Sequence, residues 1–431
     1  MRVSVIIPVW YGEEVIGQCL TAVTQHATPA LHEIICVDNG SPDGAAALIA
    51  VQFPQVRLLP QPVNLGFAGG VNAGMQAAQG DVFLLLNQDC LVHEGWLTAV
   101  AETFAQHPTA GILGGTLYNA DGSVNHAGAA VQKPAGYGAH LTAVPTDGHA
   151  QPADYVTGAL FALRRTIWEQ VGPMDEGFYP AYFEESDYCY RTRHKGFEIL
   201  YTPALAGTHL FSSRQWQKDP VRHTIQQHRS RYRFICKHFA ADLAAFFQAE
   251  TAAIAADAYH DQTIGRLVAA RHTVRHLPAI LAARQRDLDV TTSPAQARHL
   301  SVGFGELARR AWEKWQQPGD TAVPLAASRQ SLQTMRQQEY ELLARIYFRH
   351  PTDQSPETAV RRWWRLLVKR PFSIITLRDY FLQARLNTLH VARLDEMAQM
   401  QQLVEQQLTH RLRLLETLNE YEQDEAEVAR S

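Results

Sequence analysis

The sequence predicts an α/β protein with a mostly parallel, doubly wound sheet in its amino-terminal part and an α-helical carboxyl-terminal region. Short apolar runs alternate with segments of helical apolar spacing over the first hundred residues, which is the pattern of βαβ units. Residues 82–86 are apolar throughout, as expected of a strand buried on both faces of a parallel sheet. Beyond about residue 240 the composition shifts to Ala, Leu, Gln and Arg with little strand signal, which predicts the helical region.

The elements of the first part follow in order along the chain. Runs rich in β-branched and aliphatic residues predict strands at residues 3–7, 33–37, 56–59 and 82–86. Apolar residues three and four positions apart predict helices at residues 15–25, 71–79 and 96–106. The pattern then loosens, with extended segments expected at 111–117 and 198–202 and a loop-rich stretch between residues 119 and 152. We therefore expect two domains, residues 1–240 and 241–431.

The bulk composition narrows the class of protein. The chain has 431 residues, a net charge of −4 and 46% hydrophobic residues, so it is an ordinary globular protein without the basic excess of a nucleic-acid-binding protein. Its five cysteines are widely spaced and form no CxxC pair, which predicts buried, reduced thiols. The amino terminus does not resemble a signal peptide and no apolar run approaches the length of a membrane span. We expect a cytoplasmic protein.

Three polar residues, Asn87, Gln88 and Asp89, end the predicted strand 82–86. Ligands of open α/β sheets bind at the carboxyl ends of strands. A carboxylate at this position can hold a divalent cation, and the cation can hold a diphosphate. The alternative is that these residues only form a turn.

A second carboxylate, Asp38, ends another predicted strand at the same edge of the sheet. It can accept a hydrogen bond from the N–H of a pyrimidine base, with Trp10 or Tyr11 covering the ring. The alternative is an Asx turn, with Trp10 in the core.

The glycines Gly66, Gly69 and Gly70 follow the third predicted strand. The dinucleotide fingerprint needs GxGxxG after the first strand, so a dehydrogenase is not expected. The glycines allow close backbone approach to a phosphate or ribose at a helix amino terminus, although tight packing alone would also explain them.

An acidic cluster at residues 184–187 carries candidate proton acceptors. In a helical turn, Asp187 and Arg191 lie four residues apart and should pair, which gives Asp187 a structural role. Glu185 points elsewhere and has no local cation, so it is better placed to accept a proton from a substrate hydroxyl. His209, which follows a predicted strand, can complete a metal site with Asp89, although a lone histidine is more often structural.

Together these segments resemble the inverting family 2 glycosyltransferases, in particular their rhamnosyltransferase-like branch. The resemblance covers residues 1 to about 240 and implies the GT-A fold, which is Rossmann-like with a mostly parallel sheet. Residues 5–11, 37–41 and 64–72 look like the donor-nucleotide segments of the family, and residues 87–89 stand at its DxD metal motif. Residues 183–187 are similar to its ED-x-D box, and residues 157–159 and 172–178 to its acceptor-side segments.

The resemblance implies a role for each site residue. Donor binding is implied for Pro8, Trp10, Tyr11, Asp38, Asn39, Asn64, Gly66, Gly69, Asn72, Asn87 and Gln88. A divalent cation, Mg²⁺ or Mn²⁺, is implied at Asp89 and His209. The catalytic base falls on Glu185, where the family has Asp, and Glu184 and Asp187 are the alternatives.

The activity implied is inverting transfer of a sugar, rhamnose or another hexose, from a nucleoside diphosphate sugar to a hydroxyl of a glycan or lipid-linked glycan. Such a reaction would serve the synthesis of a cell-surface polysaccharide. Two other classes stay open. A sugar-phosphate nucleotidyltransferase would need a Gly-rich, Arg-bearing loop after the first strand, whereas the chain has Trp10–Glu14 there. A catalytically weak sugar-nucleotide-binding scaffold protein is compatible with the amides of Asn87 and Gln88.

The resemblance does not reach the carboxyl-terminal region. Residues 361–372 mix arginines and lysine with tryptophans and aliphatic residues, which suits a helix on an anionic membrane surface. Leucines at coiled-coil spacing between residues 380 and 420 predict self-association. The alternative is that both segments pack into a helical core. We expect peripheral binding to the inner face of the plasma membrane.

Overall fold

A computed structural model of the chain describes residues 1–210, 220–239, 241–257 and 261–316. The strands of this part are β1 Val3–Val9, β2 Leu31–Asp38, β3 Arg57–Pro60, β4 Val82–Leu86, β5 Cys90–Val92, β6 Ala110–Asn119, β7 Val124–His126, β8 Ala129–Gln132, β9 Tyr137–His140, β10 Gln151–Pro152, β11 Leu160–Arg164 and β12 Glu198–His209. Its helices are α1 Ile16–Gln25, α2 Ala45–Gln52, α3 Gly66–Ala77, α4 Trp96–Gln106, α5 Arg165–Val171, α6 Glu184–His194, α7 Pro220–His238, α8 Leu243–Ala256, α9 Asp261–Leu288 and α10 Pro294–Gln316.

One large mixed sheet forms the centre of the described residues. Its order is β10-β12-β6-β11-β4-β1-β2-β3, with β5 paired to β12 and β7 to β6. Strands β3, β2, β1 and β4 are parallel, as the alternation of strands and helices predicts. Strand β11 runs antiparallel to both β4 and β6, and β12 is parallel to β6. The predicted α/β fold with a mostly parallel sheet is confirmed.

Helices cover both faces of the sheet. On one face Ile7 of β1 packs in a core with apolar side chains of α1, α2 and α4. On the other, Ile6 faces α3, and Gly74 lies so close that an added Cβ would clash with it. Phe83 of β4 also contacts Trp168 of α5 edge-on, with ring centroids 5.7 Å apart. Burial on both faces explains why β4 is apolar throughout.

Three elements differ from the prediction in ways that affect the site. Helix α3 begins at Gly66 rather than near residue 71, so the glycine-rich segment is itself helical. Strand β12 does not stop near residue 202 but continues to His209, which carries that side chain to β5. The stretch 119–152 contains four short strands, where the sequence predicts loops. A hairpin and two edge strands contribute few apolar residues, so they leave no periodic pattern in the sequence.

The predicted helical region begins with α8, α9 and α10. The described helices α8, α9 and α10 lie in the same compact unit as the sheet. The division of the chain into domains 1–240 and 241–431 stays a prediction. The predicted membrane segment 361–372 and coiled coil 380–420 lie outside the described residues. Among the helices that the structure describes, none combines the length and apolar character needed to cross a membrane.

The five cysteines are all buried and free, as their spacing predicts.

Candidate active site

The loop after β4 and the end of β12 bring Asp89 and His209 together. Strand β5 starts directly after Asp89 and pairs with β12 so that Cys90 is opposite His209. His209 Nε2 lies 3.0 Å from Asp89 Oδ1 and 3.4 Å from Asn87 Nδ2. The side chains of Asp89 and His209 are 16% and 14% exposed, so each is held by its neighbours yet open to solvent. A carboxylate beside an imidazole is a donor set that suits Mn²⁺ and related divalent cations.

Gln88 bonds to the backbone of Trp10, the residue that follows β1. The backbone N–H of Trp10 donates to Gln88 Oε1, and Gln88 Nε2 donates to the Trp10 carbonyl, both at 2.9 Å. The side-chain amide therefore fixes the position of the loop after β4 relative to the loop after β1. Trp10 contacts Tyr11 edge-on at 4.9 Å, and Tyr11 is 53% exposed. A half-exposed ring at this edge is available to cover a ligand.

The segments predicted to bind the donor are joined by hydrogen bonds. Asn39 is buried; its Nδ2 donates to Asn64 Oδ1 at 3.1 Å and to the Gly66 carbonyl at 2.9 Å, and its Oδ1 accepts from the Leu65 N–H. Asp38 Oδ1 accepts from the Ser41 N–H, three residues farther along, so the carboxylate is bonded within its own loop. The bonds of Asn39 join the loop after β2 to the loop after β3.

Other predicted donor residues lie against the same edge. Gly66 has φ +72°, and a Cβ there would lie 2.9 Å from the Pro180 carbonyl oxygen. A Cβ on Gly70 would lie 3.3 Å from Pro8, and one on Gly69 would lie 2.6 Å from Leu65. Helix α3 therefore begins where only glycine allows such close packing. Asn72 lies farther along α3 and bonds to both backbone groups of Met174. A direct donor contact for each of these residues stays a prediction.

Two residues with left-handed backbone introduce the acidic helix α6. Tyr182 and Phe183 have φ +81° and +70°, values that are rare for bulky side chains. Such strain persists only where the surroundings hold it and is concentrated at functional sites. The turn delivers two adjacent acids, Glu184 and Glu185, to the amino-terminal end of the helix.

Glu185 carries a carboxyl group whose pKa is close to neutral. The side chain is partly buried, and burial raises its pKa to about 7, although backbone N–H groups of the first helical turn work against the shift. Among the described residues, none forms a salt bridge with it. Glu184 is buried, and burial together with the neighbouring Glu185 raises its pKa well above the usual value. A group with a pKa near the working pH is suited to general base catalysis.

Asp187 lies in a different environment. It is fully buried, 2.7 Å from Lys237 Nζ and 2.8 Å from His238 Nε2, and its predicted partner Arg191 is 3.8 Å away. Burial works to raise the pKa of Asp187, but Lys237, His238 and Arg191 outweigh it and hold the pKa well below its usual range. The expected pair with Arg191 is present, yet the closer partners come from α7.

A triad of buried carboxylates, Asp175, Asp187 and Asp287, has the spacing of a metal site. Lys237 Nζ lies 2.8, 2.7 and 2.7 Å from their oxygens, respectively. The ammonium group thus stands where a cation would bind, and the triad is an ion-pair cluster. Sequence reasoning missed Lys237 and Asp287, because the contacts of Lys237 with the three carboxylates join residues 50 or 62 positions apart and leave no local spacing.

The metal-side and base-side residues are linked across β11. The backbone N–H of Asn87 donates to the Ala159 carbonyl at 3.2 Å. At the neighbouring Gly158, a Cβ would lie 3.8 Å from Cβ of Glu185 and 3.1 Å from the ring of Phe67. Phe67 in turn donates its N–H to the Pro180 carbonyl at 2.8 Å. The donor-side loops, the Asp89–His209 pair and Glu185 therefore border one region at the carboxyl edge of the sheet.

Comparisons with known proteins relate part of the chain to glycosyltransferases. Residues 4–143 match the family model of Glycosyl transferase family 2. The chain is 27% identical over 235 residues to an N-acetylglucosaminyl-diphospho-decaprenol L-rhamnosyltransferase of Mycobacterium tuberculosis (strain CDC 1551 / Oshkosh), covering 48% of this chain and 76% of the relative. It is 34% identical over 107 residues to Glycosyltransferase AglE of Haloferax volcanii, covering 24% of this chain and 35% of the relative.

Among solved structures, the chain is similar to a crystal structure of GalNAc-T7 with UDP, GalNAc and Mn²⁺, at a TM-score of 0.46 and 17% identity over 55% of this chain and 47% of that one.

The family match and the similarity to glycosyltransferases support sugar transfer as the activity. Over residues 4–143 the chain is similar to the family 2 glycosyltransferases, and over 235 residues it is similar to a rhamnosyltransferase.

Proposed function

We propose that the chain transfers a sugar with inversion from a nucleoside diphosphate sugar to a hydroxyl of a glycan or lipid-linked glycan. Glu185 is the proposed base, and Asp89 with His209 is the proposed site of a divalent cation. The observation that carries the proposal is the environment of Glu185, an acid with a pKa raised to about 7 that borders the same edge as the Asp89–His209 pair. The relative of Mycobacterium tuberculosis is named for rhamnosyl transfer to a lipid diphosphate, which supports an acceptor of that class.

The residues at the metal side fit a divalent cation. Asp89 and His209 offer an oxygen and a nitrogen 3.0 Å apart at a partly exposed position. A bound Mg²⁺ or Mn²⁺ would offset the charge that grows on the nucleoside diphosphate as it leaves. The Asn87 amide, 3.4 Å from the same imidazole, helps to orient the histidine ring.

The proposed work of Glu185 is to remove the proton of the acceptor hydroxyl. As the acceptor oxygen attacks the anomeric carbon, its proton passes to the Glu185 carboxylate, and the bond from that carbon to the diphosphate oxygen breaks. Attack from the face opposite the leaving group inverts the configuration in one displacement. Asp187 is unsuited to this task, because its paired environment depresses its pKa and stabilises the ionised form.

The test is a panel of nucleoside diphosphate sugars that includes UDP-glucose, UDP-N-acetylglucosamine, GDP-mannose and dTDP-rhamnose. Release of the nucleoside diphosphate is measured with Mn²⁺, with Mg²⁺ and with EDTA. We expect at least one donor to be turned over, and faster when an acceptor is added. EDTA should stop its turnover. NMR of the product should show an inverted anomeric centre. Binding of a donor with no release under any condition would favour a scaffold protein, and retention of configuration would contradict the proposed mechanism.

A further inference from the structure

Helix α7 contacts the segment 175–187, which contains the proposed base Glu185. At one end of that segment, Arg233 bonds to Asp175 through two nitrogens at 2.8 and 3.0 Å, and Lys237 reaches the same carboxylate at 2.8 Å. At the other end, Lys237 and His238 hold Asp187. Helix α7 therefore contacts the chain on both sides of Glu185, through ion pairs with the buried acids Asp175 and Asp187.

The middle of the segment is held by Gln226, an uncharged residue of α7. The residue is 5% exposed, and its Nε2 lies 3.0 Å from the carbonyl oxygens of Tyr179 and Ala181 and 3.4 Å from that of Phe178. Three carbonyl oxygens around one end of the amide require that end to be the nitrogen. Ser230, one turn farther along α7, also donates to the Ala181 carbonyl, at 3.2 Å.

These contacts fall on the loop that the site depends on. The Pro180 carbonyl accepts from Phe67 N–H of the donor-side segment, and its neighbours on both sides are bonded to Gln226. The loop then continues into the strained residues Tyr182 and Phe183 and reaches Glu185 within the first turn of α6. From Gln226 to Lys237 the helix covers about 16 Å, at 1.5 Å for each of eleven steps. Strained backbone of this kind needs such external support.

We propose that Gln226 is a positioning residue for sugar transfer, which sets the 178–183 loop and through it the distance of Glu185 from the acceptor hydroxyl. The inference rests on the proposed function and adds a part of the machinery that lies outside the segment matched by the family model, residues 4–143. It implies that α7 belongs to the catalytic unit. Because transfer is sensitive to displacements of about 1 Å, loss of the Gln226 bonds should slow turnover more than donor binding.

The experiment compares Gln226→Met in the full chain with the control Gln248→Met, an exposed glutamine of α8. Methionine keeps the length of the side chain and removes the amide N–H groups that bond to the carbonyl oxygens. The donor is the one that wild type turns over fastest in the panel of nucleoside diphosphate sugars. We expect kcat of Q226M to fall about 10- to 100-fold with donor Kd changed less than about threefold. Hydrogen exchange of residues 178–187 should be faster in Q226M and unchanged in Q248M.

Ser230→Ala provides a milder second variant in case Q226M does not fold, and its kcat should fall about three- to tenfold at an unchanged melting temperature. Wild-type kcat in both folded variants, or an equal loss of kcat and donor affinity in Q226M, would overturn the positioning role. A wild type that releases no nucleoside diphosphate from any donor would instead contradict the proposed function on which this inference rests.

Discussion

Replacing Lys237 with methionine would remove the ammonium group that Asp175, Asp187 and Asp287 share. Nζ of Lys237 is fully buried and lies 2.7–2.8 Å from an oxygen of each carboxylate. Methionine fills most of the space of the lysine stem, so the change is chiefly electrostatic. Removal of one partner from a buried ion pair costs about 3–5 kcal/mol, because the opposite charge stays buried without compensation.

The remaining cations do not replace this contact. Arg233 stays bidentate to Asp175 and His238 stays bonded to Asp187, which keeps the loss within the range for one pair rather than three. At about 2–4 °C for each kcal/mol in a chain of a few hundred residues, the melting temperature should fall by roughly 6–20 °C. The matched control is Lys195→Met, because the Lys195 side chain is exposed at the end of α6.

The effect should depend on pH with a definite sign. The pKa values of Asp175 and Asp187 are lowered in the folded protein, so their contribution to stability is present above the unfolded pKa and is lost as pH falls through the folded value. The difference in melting temperature between wild type and K237M should therefore be largest at neutral pH and shrink below about pH 4. Calorimetry from pH 3 to pH 8 measures it. A K237M protein as stable as K195M at pH 7 would refute the assignment of the cluster as an ion-pair network.

Three further predictions concern other parts of the chain. Asp89→Ala should abolish transfer while the protein still folds, because the apolar residues of β4 are untouched; transfer at a near wild-type rate with the metal chelated would disprove the role of Asp89. Since the base must be ionised and burial raises the pKa of Glu185 to about 7, kcat should rise with pH along a limb centred near pH 7, and a limb near the ordinary glutamate value of about 4.3 would be inconsistent with this base. Vesicles with anionic lipid should pellet wild type more than Trp363→Ala/Trp364→Ala at low salt, and equal pelleting would leave residues 361–372 without a membrane role.

The sequence predicts most of the parallel half of the fold, because that half is built from local patterns. Strand β4 and helix α4 have the predicted bounds, since buried runs and helical spacing are properties of contiguous residues. The start of α3 at Gly66 could not be predicted from propensity, because glycine disfavours helices. Glycine is required in this helix because a Cβ at Gly66 would lie 2.9 Å from the Pro180 carbonyl oxygen and one at Gly74 would lie 2.3 Å from Ile6.

The candidate site likewise combines features that local patterns predict with contacts between distant residues that they do not predict. The sequence predicts that Asp89 and His209 share a metal site, which stays a prediction; the two side chains are in contact because β12 extends to β5. The roles of Gln226 and Lys237 could not be predicted, because their contacts reach back 45 to 62 residues along the chain. A buried acid such as Asp187 signals that some cation must be near, but its sequence neighbours supply only the more distant Arg191.

The most direct test of the account is the turnover of Glu185→Gln. Glutamine keeps the shape of the side chain and cannot accept the proton of the acceptor hydroxyl. We predict that kcat falls at least about 100-fold with donor affinity nearly unchanged, whereas the control Glu169→Gln, at an exposed position of α5, keeps wild-type kcat. Asp187→Asn should mainly lower the melting temperature. Near wild-type turnover in a stably folded E185Q, together with loss of turnover in a stably folded D187N, would contradict the assignment of Glu185 as the base.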